Sequence, residues 1–258
     1  MPPFHGTRPL KRWRYVGVFC EELMACAAVV RVGPARQTFW ALLTRADGRL
    51  REGTHTVWRR GAVELSPRRL RVRDRGVVLD LALAEDDGRQ TTCAHAAAYV
   101  WTRKQAGVRA HGTLALDGGA PRAIEALAVI DDTAGYHARV TEWLWAAGVG
   151  VDAAGRALAF NLVEGVNDPP TGSERTVWIA QAPHEAPPVS FARDLSGIAA
   201  ADGSRLRFTA EAQRSRRENL LVVRSEYRAP FGSFSGTLPG GIELAHGLGV
   251  VEHHRARW

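Results

Sequence analysis

Three segments of the chain combine residue types that can do chemistry at spacings that bring them together. The first is Ile130-Asp-Asp-Thr-Ala-Gly-Tyr-His137, followed by Arg139 and Thr141-Glu-Trp-Leu-Trp145. In an extended strand Thr141, Trp143 and Trp145 share one face, and Glu142 and Leu144 share the other. Two tryptophans with carboxylates, Tyr136 and His137 close by can line a binding cavity, although core packing accounts for Trp143 and Trp145 more simply. The second segment is Leu158-Ala-Phe-Asn-Leu-Val-Glu164, running on to Asn167 and Asp168. Asn161 lies opposite the face shared by Leu158, Phe160 and Leu162. If buried it must be hydrogen-bonded, as in a polar network inside a barrel; otherwise it faces solvent or caps a turn.

The third segment is Gly249-Val-Val-Glu-His-His-Arg-Ala-Arg-Trp258. As a strand it sets Val250, Glu252, His254 and Trp258 on one side. Glu252 and His254 fit either two metal ligands or an acid–base pair tuned by burial. A metal needs a third ligand, for which only distant candidates such as His137 exist, and no His-Glu-x-x-His helix is present. An ion-pair network of Glu252 and His254 with arginines is the stronger reading, so no metal is expected.

Other motifs are weak. Gly148-Val-Gly150 and Gly247-Leu-Gly249 stand outside any strand–turn–helix setting, and no P-loop lysine follows, so no nucleotide or other cofactor is expected. Gly232-Ser-Phe-Ser-Gly236 places Phe234 where a nucleophile elbow needs serine. Cys20, Cys26 and Cys93 form no Cys-x-x-Cys pair, which argues against both a disulfide framework and a thiolate zinc site. The formal charge is +7, yet only Lys11 and Lys104 of the 34 basic residues are lysine. The basic tract Arg68 to Arg75 alternates arginine with Leu and Val, as a strand with one wet face does, and Trp58-Arg-Arg60 belongs to no nucleic-acid module. Nucleic acid is therefore not an expected partner. No apolar run approaches the ~20 residues of a membrane helix, and Glu21 and Glu22 interrupt the N-terminal apolar run before a signal-peptide core is complete. Without stable membrane insertion, the cytoplasm is the default location.

The elements that must carry these residues are strands. Asp47-Gly48, Asp87-Gly88, Asp117-Gly118 and Asp202-Gly203 sit between apolar runs and favour tight hairpins, and Asp152 to Gly155 is a longer version. Leu70 to Arg73, Val77 to Ala84, Leu206 to Ala210 and Leu220 to Arg224 alternate with a period of two. Glu21 to Val30 fits either a short helix or the start of a strand. Pro183 to Pro188 and Pro230 to Gly241 read as loops. The chain is thus all-β and antiparallel, a sandwich or a closed barrel. A composition shift near Gly118 to Pro121 divides it into an N-terminal unit, 1–118, and a C-terminal unit, 119–258, with no short-period repeat.

Lys11-Arg-Trp-Arg-Tyr-Val-Gly17, Asp131-Asp-Thr-Ala-Gly-Tyr-His137, Thr141-Glu-Trp-Leu-Trp145 and Glu252-His-His-Arg-Ala-Arg-Trp258 together resemble the bacterial family known as domain of unknown function 2804. The resemblance covers nearly the whole chain, and the family has no assigned activity. Its members carry more sequence ahead of the Lys-Arg-Trp segment, which implies an N-terminal strand that is absent here or differently supplied. More loosely, the Trp-x-Trp strand, an Asp-x-x-Gly-like turn, the strand with Asn161 and the later Trp178 are similar in order to lipocalin-like (calycin-like) two-barrel proteins such as carotenoid hydratases and related cyclase-like proteins. That similarity implies two barrel-type units sharing an apolar cavity for a terpenoid- or polyketide-like chain. Hydrating or cyclising an alkene requires protonation of carbon, hence a carboxylic acid kept neutral near pH 7, which desolvation supplies. By this analogy Asp132 is the first candidate acid and Asp131 the second, with Tyr136 and His137 as orienters and Trp143 and Trp145 facing a carbocation.

The resulting expectation is a protein that binds a small apolar or amphipathic molecule in an interior cavity. As an enzyme it is a cofactor-independent hydratase/cyclase-type lyase or isomerase; the alternative is a non-catalytic carrier with the same cavity. Asp131, Asp132, His137 and Glu252 are the catalytic candidates. Tyr136, Glu142, Trp143, Trp145, Asn161 and His254 are the ligand-binding ones. A cavity carboxyl without an arginine partner favours catalysis, whereas salt-bridged or exposed carboxylates favour the carrier.

Overall fold

The computed structural model describes residues 1–56, 61–220 and 223–258, which leaves Trp58-Arg-Arg60 and part of the alternating run from Leu220 to Arg224 outside the described residues. All of its regular elements are antiparallel strands. A small hairpin, β1 (Phe4–His5) and β2 (Arg8–Pro9), precedes the first large sheet. That sheet contains β3 (Lys11–Phe19), β4 (Leu23–Val32), β5 (Ala35–Thr44), β6 (Arg49–Thr56), β7 (Val63–Ser66), β8 (Arg69–Asp74), β9 (Val77–Leu83), β10 (Arg89–His95), β11 (Ala98–Leu116) and β12 (Arg122–Gly135). The second sheet contains β13 (Val140–Val151), β14 (Ala157–Glu164), β15 (Thr176–Ile179), β16 (Ala182–Glu185), β17 (Val189–Phe191), β18 (Gly197–Ala200), β19 (Arg205–Leu220), β20 (Val223–Leu238) and β21 (Ile242–Arg257). Glu21 to Val30 resolves in favour of a strand, because Val29, Val30 and Val32 are β-branched and pair along β5. Among the described residues no helix is long and apolar enough to cross a membrane.

The two sheets repeat one topology. Their strand orders are β6-β5-β4-β3-β12-β11-β9-β8-β7, with β10 added beside β11, and β16-β15-β14-β13-β21-β20-β19-β18-β17. In each, the first long strand pairs with the last, β3 with β12 and β13 with β21. Each sheet curls until its far strand packs back over the opposite side, β7 against β4 and β5, and β17 against β14. The result is two curled, lipocalin-like half-barrels. The chain passes between them at 136–139, so the boundary expected at 118–119 moves about one strand later. Asp117 and Gly118, both at positive φ, form the hairpin between β11 and β12 of one sheet. Their signal was that of a tight turn and not of a domain seam. The loop expected over Pro230 to Gly241 is likewise mostly strand: Pro230 lies within β20, across from Gln213 of β19.

Period-two alternation divides the apolar residues into three cores. Val16, Val18, Ala128 and Ile130 face the inside of the first half-barrel, where they meet Leu70, Leu79 and Leu81. Ala146, Phe160, Leu162 and Val251 face the inside of the second, with Phe208 and Phe234. The other faces of the same strands, through Tyr15, Phe19, Val129, Trp145, Val149, Tyr227 and Val250, pack the units against each other. The glycines of the isolated Gly-x-Gly motifs border the core inside the second half-barrel. Gly148, Gly249 and Gly232 lie side by side across β13, β21 and β20. A Cβ on Gly148 would meet the Phe160 ring at 2.7 Å, and one on Gly249 would meet the Ala147 carbonyl oxygen at 2.3 Å. The row leaves room for the aromatic cluster of Phe160, Phe208 and Phe234. Gly249→Ala is therefore expected to cost about 1–3 kcal/mol by overpacking, read as a lower urea midpoint with an unchanged slope.

Candidate functional site

The face between the units is not filled everywhere. A cavity of about 490 Å³ opens there, lined by Trp13, Tyr15, Phe39, Asp131, His137, Trp143, Trp145, Tyr227, Glu252, His254 and Trp258 among others. The insides of the half-barrels hold side-chain cores, so the cavity is interior to the pair and not to either unit.

The repeat explains which side chains arrive there. On β3 and β12, Trp13 and Tyr15 stand opposite Thr133 and Asp131; on β13 and β21, Trp143 and Trp145 stand opposite His254 and Glu252. A Trp-x-aromatic pair thus faces an acid-x-polar pair in each unit. Trp13 and Trp143 stack across the interface, with centroids 6.1 Å apart and planes within 7°. Each indole donates to the acid of its own unit: Trp13 Nε1 to Asp131 Oδ2 at 3.1 Å, and Trp143 Nε1 to Glu252 Oε1 at 2.9 Å.

The two acids differ in their third partner. Lys104 lies directly across the ladder from Asp131, with Nζ 2.7 Å from Oδ1, and Thr133 Oγ1 donates to the same oxygen at 2.8 Å. The ammonium also meets Glu174 at 3.2 Å. Burial opposes the charge of Lys104, but Asp131 and Glu174 hold its pKa above the ordinary value; burial pushes Glu174 up against the pull of Lys104. In the second unit, pairing of Arg228 with His253 and of Phe231 with Val250 sets Ala229 across from Glu252. No lysine or arginine ion-pairs with Glu252 among the described residues; its nearest cationic candidate is His254, at 3.9 Å. Burial raises the Glu252 pKa from 4.5 to about 7, the nearby Asp131 adding to the shift and the Trp143 N–H, the Tyr227 hydroxyl and the charge of Lys104 opposing it. Burial also pushes His254 down to about 3, so that partner is neutral, and its Nε2 shares a 2.7 Å hydrogen bond with Ser225 Oγ.

His137 lines the same cavity, its ring 5.1 Å from that of Trp13 and tilted 34° to it, with both ring nitrogens buried and without well-formed hydrogen bonds. Burial lowers its pKa to about 3, so it too is neutral. From Glu252 the wall continues over Tyr227 to Phe39, each ring stacked by the Arg214 guanidinium, at 5.3 and 4.5 Å respectively. Asn161 sits one layer behind: it accepts from Trp145 Nε1 at 2.7 Å and donates to the Glu174 carbonyl at 3.0 Å, which fixes the Trp145 ring. Among the described residues no cluster of three or more potential ligands is arranged to hold a metal.

Asp131, His137, Trp143, Trp145, Glu252 and His254 are therefore brought together, with Asn161 supporting them. Three expected residues lie elsewhere. Asp132, the first candidate acid, points to the opposite face of β12, where Arg14 at 2.8 Å and Arg103 at 2.7 Å ion-pair with it and also with Glu85. That carboxylate is ion-paired on the far side of the strand and does not line the cavity. Tyr136 donates its hydroxyl to the Pro2 carbonyl at 2.7 Å and packs on His5 and Tyr99. Glu142 is exposed and pairs with His253 at 2.8 Å and Arg255 at 3.7 Å. Trp13, Tyr15, Lys104, Glu174 and Tyr227 are site residues that the sequence reading missed.

Comparison with known proteins places this geometry in context. The sequence model of the family described as Domain of unknown function (DUF2804) matches residues 70–258. A sequence search finds no match among curated proteins. In fold, the chain is similar to a Nitrosomonas europaea protein provisionally assigned as AttH, at 14% identity and TM-score 0.57, over 97% of this chain and 94% of that one. It is similar also to kievitone hydratase from Nectria haematococca, at 10% identity and TM-score 0.58, over 94% and 88%. CghA matches at 10% identity and TM-score 0.51, over 96% and 88%.

The raised Glu252 pKa has a consequence for stability. The native state holds this proton more tightly than the unfolded chain, so the contribution of Glu252 to stability is fully present below pH 4.5, is lost as pH rises to about 7 and changes no further above. The loss is on the order of 3 kcal/mol. Glu252→Gln removes the ionisation while keeping an acceptor for Trp143. Its melting temperature is expected to exceed that of the wild type at pH 8 and to match it near pH 4.5; equal pH profiles for the two proteins would contradict the assignment.

Proposed function

The chain belongs to the DUF2804 family, and we propose that it binds a small, largely apolar molecule between its two half-barrels and moves a proton to or from it through Glu252. The activity is that of a cofactor-independent lyase or isomerase. The observation that carries this reading is a buried cavity carboxyl that, among the described residues, has no lysine or arginine within ion-pair distance, and whose pKa of about 7 lets acid and base forms coexist at neutral pH. The cavity volume is in the range of small-molecule sites, which are mostly apolar with a few placed polar groups. As an acid, Glu252 delivers its proton to an alkene carbon, and the faces of Trp13, Trp143 and Trp258 offer π-density to the positive charge that follows. As a base, it removes a proton from an activated carbon. The similarity in fold to a protein named as a hydratase supports the reading at the level of architecture.

A carrier needs the cavity and its aromatic wall but gains nothing from an uncharged acid held there. The two readings separate by extracting the small molecules retained by the wild-type protein and by Glu252→Gln from the native host, and comparing them by chromatography and mass spectrometry. The expected result is that the variant retains a substrate differing from the wild-type ligand by one water or by isomerism, and that its turnover of that compound falls about 100-fold or more. The same compound on both proteins, unchanged on incubation, establishes the carrier. No ligand on either overturns the cavity reading.

A further inference from the structure

The Glu252 cavity lies on one face of β4 and β5, through Val30, Val32 and Gln37. A second cavity, of about 390 Å³, lies on their other face, through Val29 and Arg31, and is bounded across from them by β7 and β8. Arg31, Arg36, Arg69 and Arg71 line it, and Arg36, at the end of β5, reaches the edge of both cavities. Strand pairing sets Arg12 opposite Arg31 and Arg31 opposite Arg36, so three cations stand side by side across β3, β4 and β5. They share the face that carries Val16, Ala27 and Trp40 into the core of the first half-barrel. Like charges directly opposite in a ladder are destabilising. Arg14 and Arg103, by contrast, share Asp132, and Arg69 and Arg71 share Asp80. The side chains of Arg12, Arg31 and Arg36 form no hydrogen bond or ion pair with a described residue. Arg36 Nε is sealed in the protein without a partner, whereas its two Nη groups keep accessible surface.

The acids paired with the lining arginines are Asp80, with Arg69 and Arg71, and Glu64, 3.3 Å from Arg71. Two positive charges are left uncompensated in the cavity, on Arg31 and Arg36, beside an apolar wall of Val29, Val63 and Leu65. We propose that this cavity binds a small phosphate monoester, its phosphate bridging Arg31 and Arg36 and its organic body lying against Val29, Val63 and Leu65. A phosphate monoester carries close to two negative charges above its second pKa of about 6. Its oxygens accept paired N–H bonds from planar guanidinium groups. A carboxylate, with one charge, leaves half of the excess unbalanced. The volume is that of a small-molecule site and not of a groove for an extended polyanion. The repulsion within the row is a cost to the empty protein that the bound dianion removes.

Titration calorimetry at low ionic strength and about pH 7.5 tests the assignment with phenyl phosphate, phenyl sulfate and inorganic phosphate. The wild-type protein is expected to bind phenyl phosphate about 10-fold more tightly than phenyl sulfate, which carries one charge. A similar margin is expected over inorganic phosphate, which lacks the ring. Arg31→Gln, at a residue that borders this cavity alone, should weaken phenyl phosphate binding about 10-fold or more, and Arg36→Gln likewise. Without ligand, Arg31→Gln should melt no lower than the wild type, because it relieves the row. Arg217→Gln removes the same charge from an exposed pair with Glu226 on the other half-barrel, and Glu252→Gln alters the apolar cavity. Both should bind phenyl phosphate as the wild type does. The proposal is overturned by absence of wild-type binding, by equal affinity for phenyl sulfate or inorganic phosphate, or by a loss in Arg217→Gln as large as in Arg31→Gln. Loss in Glu252→Gln but not in Arg31→Gln puts the probe in the apolar cavity and overturns it as well.

Discussion

A carboxyl group buried without a cation is the constraint on which the account of this molecule turns. Removing Glu252 from water penalises its charged form, and the groups that support that form, Trp143, Tyr227 and Lys104, offset only part of the penalty. Everything around it serves either to hold it or to leave it uncompensated. Trp143 is pinned by stacking on Trp13 of the other unit, so the donor to Glu252 is positioned by the contact between the half-barrels. Asp131 supplies negative charge from across the same interface, while the Lys104 ammonium is drawn between two carboxylates.

The repeat of topology gives this asymmetry a simple cause. Both units present an aromatic pair opposite an acid, and both acids accept an indole N–H. They diverge at one ladder position. Lys104 faces Asp131 and ion-pairs with it, whereas the equivalent place before Pro230 is Ala229, whose methyl group cannot pair with Glu252. One unit has kept a structural ion pair and the other an acid of adjustable charge. The site then lies where the two faces meet, which is also where apolar packing between the units is broken by the cavity.

Local signals carried the fold. Asp47-Gly48, Asp117-Gly118 and Asp202-Gly203 close hairpins between neighbouring strands, and alternation correctly put Glu252 on one face with His254 and Trp258. Choosing between adjacent acids was beyond such signals. Asp131 and Asp132 differ only in which side of β12 they face, and the arginines that claim Asp132 come from strands more than twenty residues away. Two clues were available. Trp13-x-Tyr15 repeats the spacing of Trp143-x-Trp145, in keeping with the shared topology of the two sheets. And in a chain with 34 basic residues the only two lysines, Lys11 and Lys104, are both almost fully buried. A compact ammonium fits between two carboxylates where a planar guanidinium does not.

The direct test is a carbon-13 NMR titration of the side-chain carboxyl of Glu252 in the intact protein, assigned by its loss in Glu252→Gln. The account predicts a midpoint near 7, falling toward the ordinary glutamate value when Ala229→Lys places an ammonium opposite it. A wild-type midpoint below about 5, within the range of ordinary glutamates, would contradict the account.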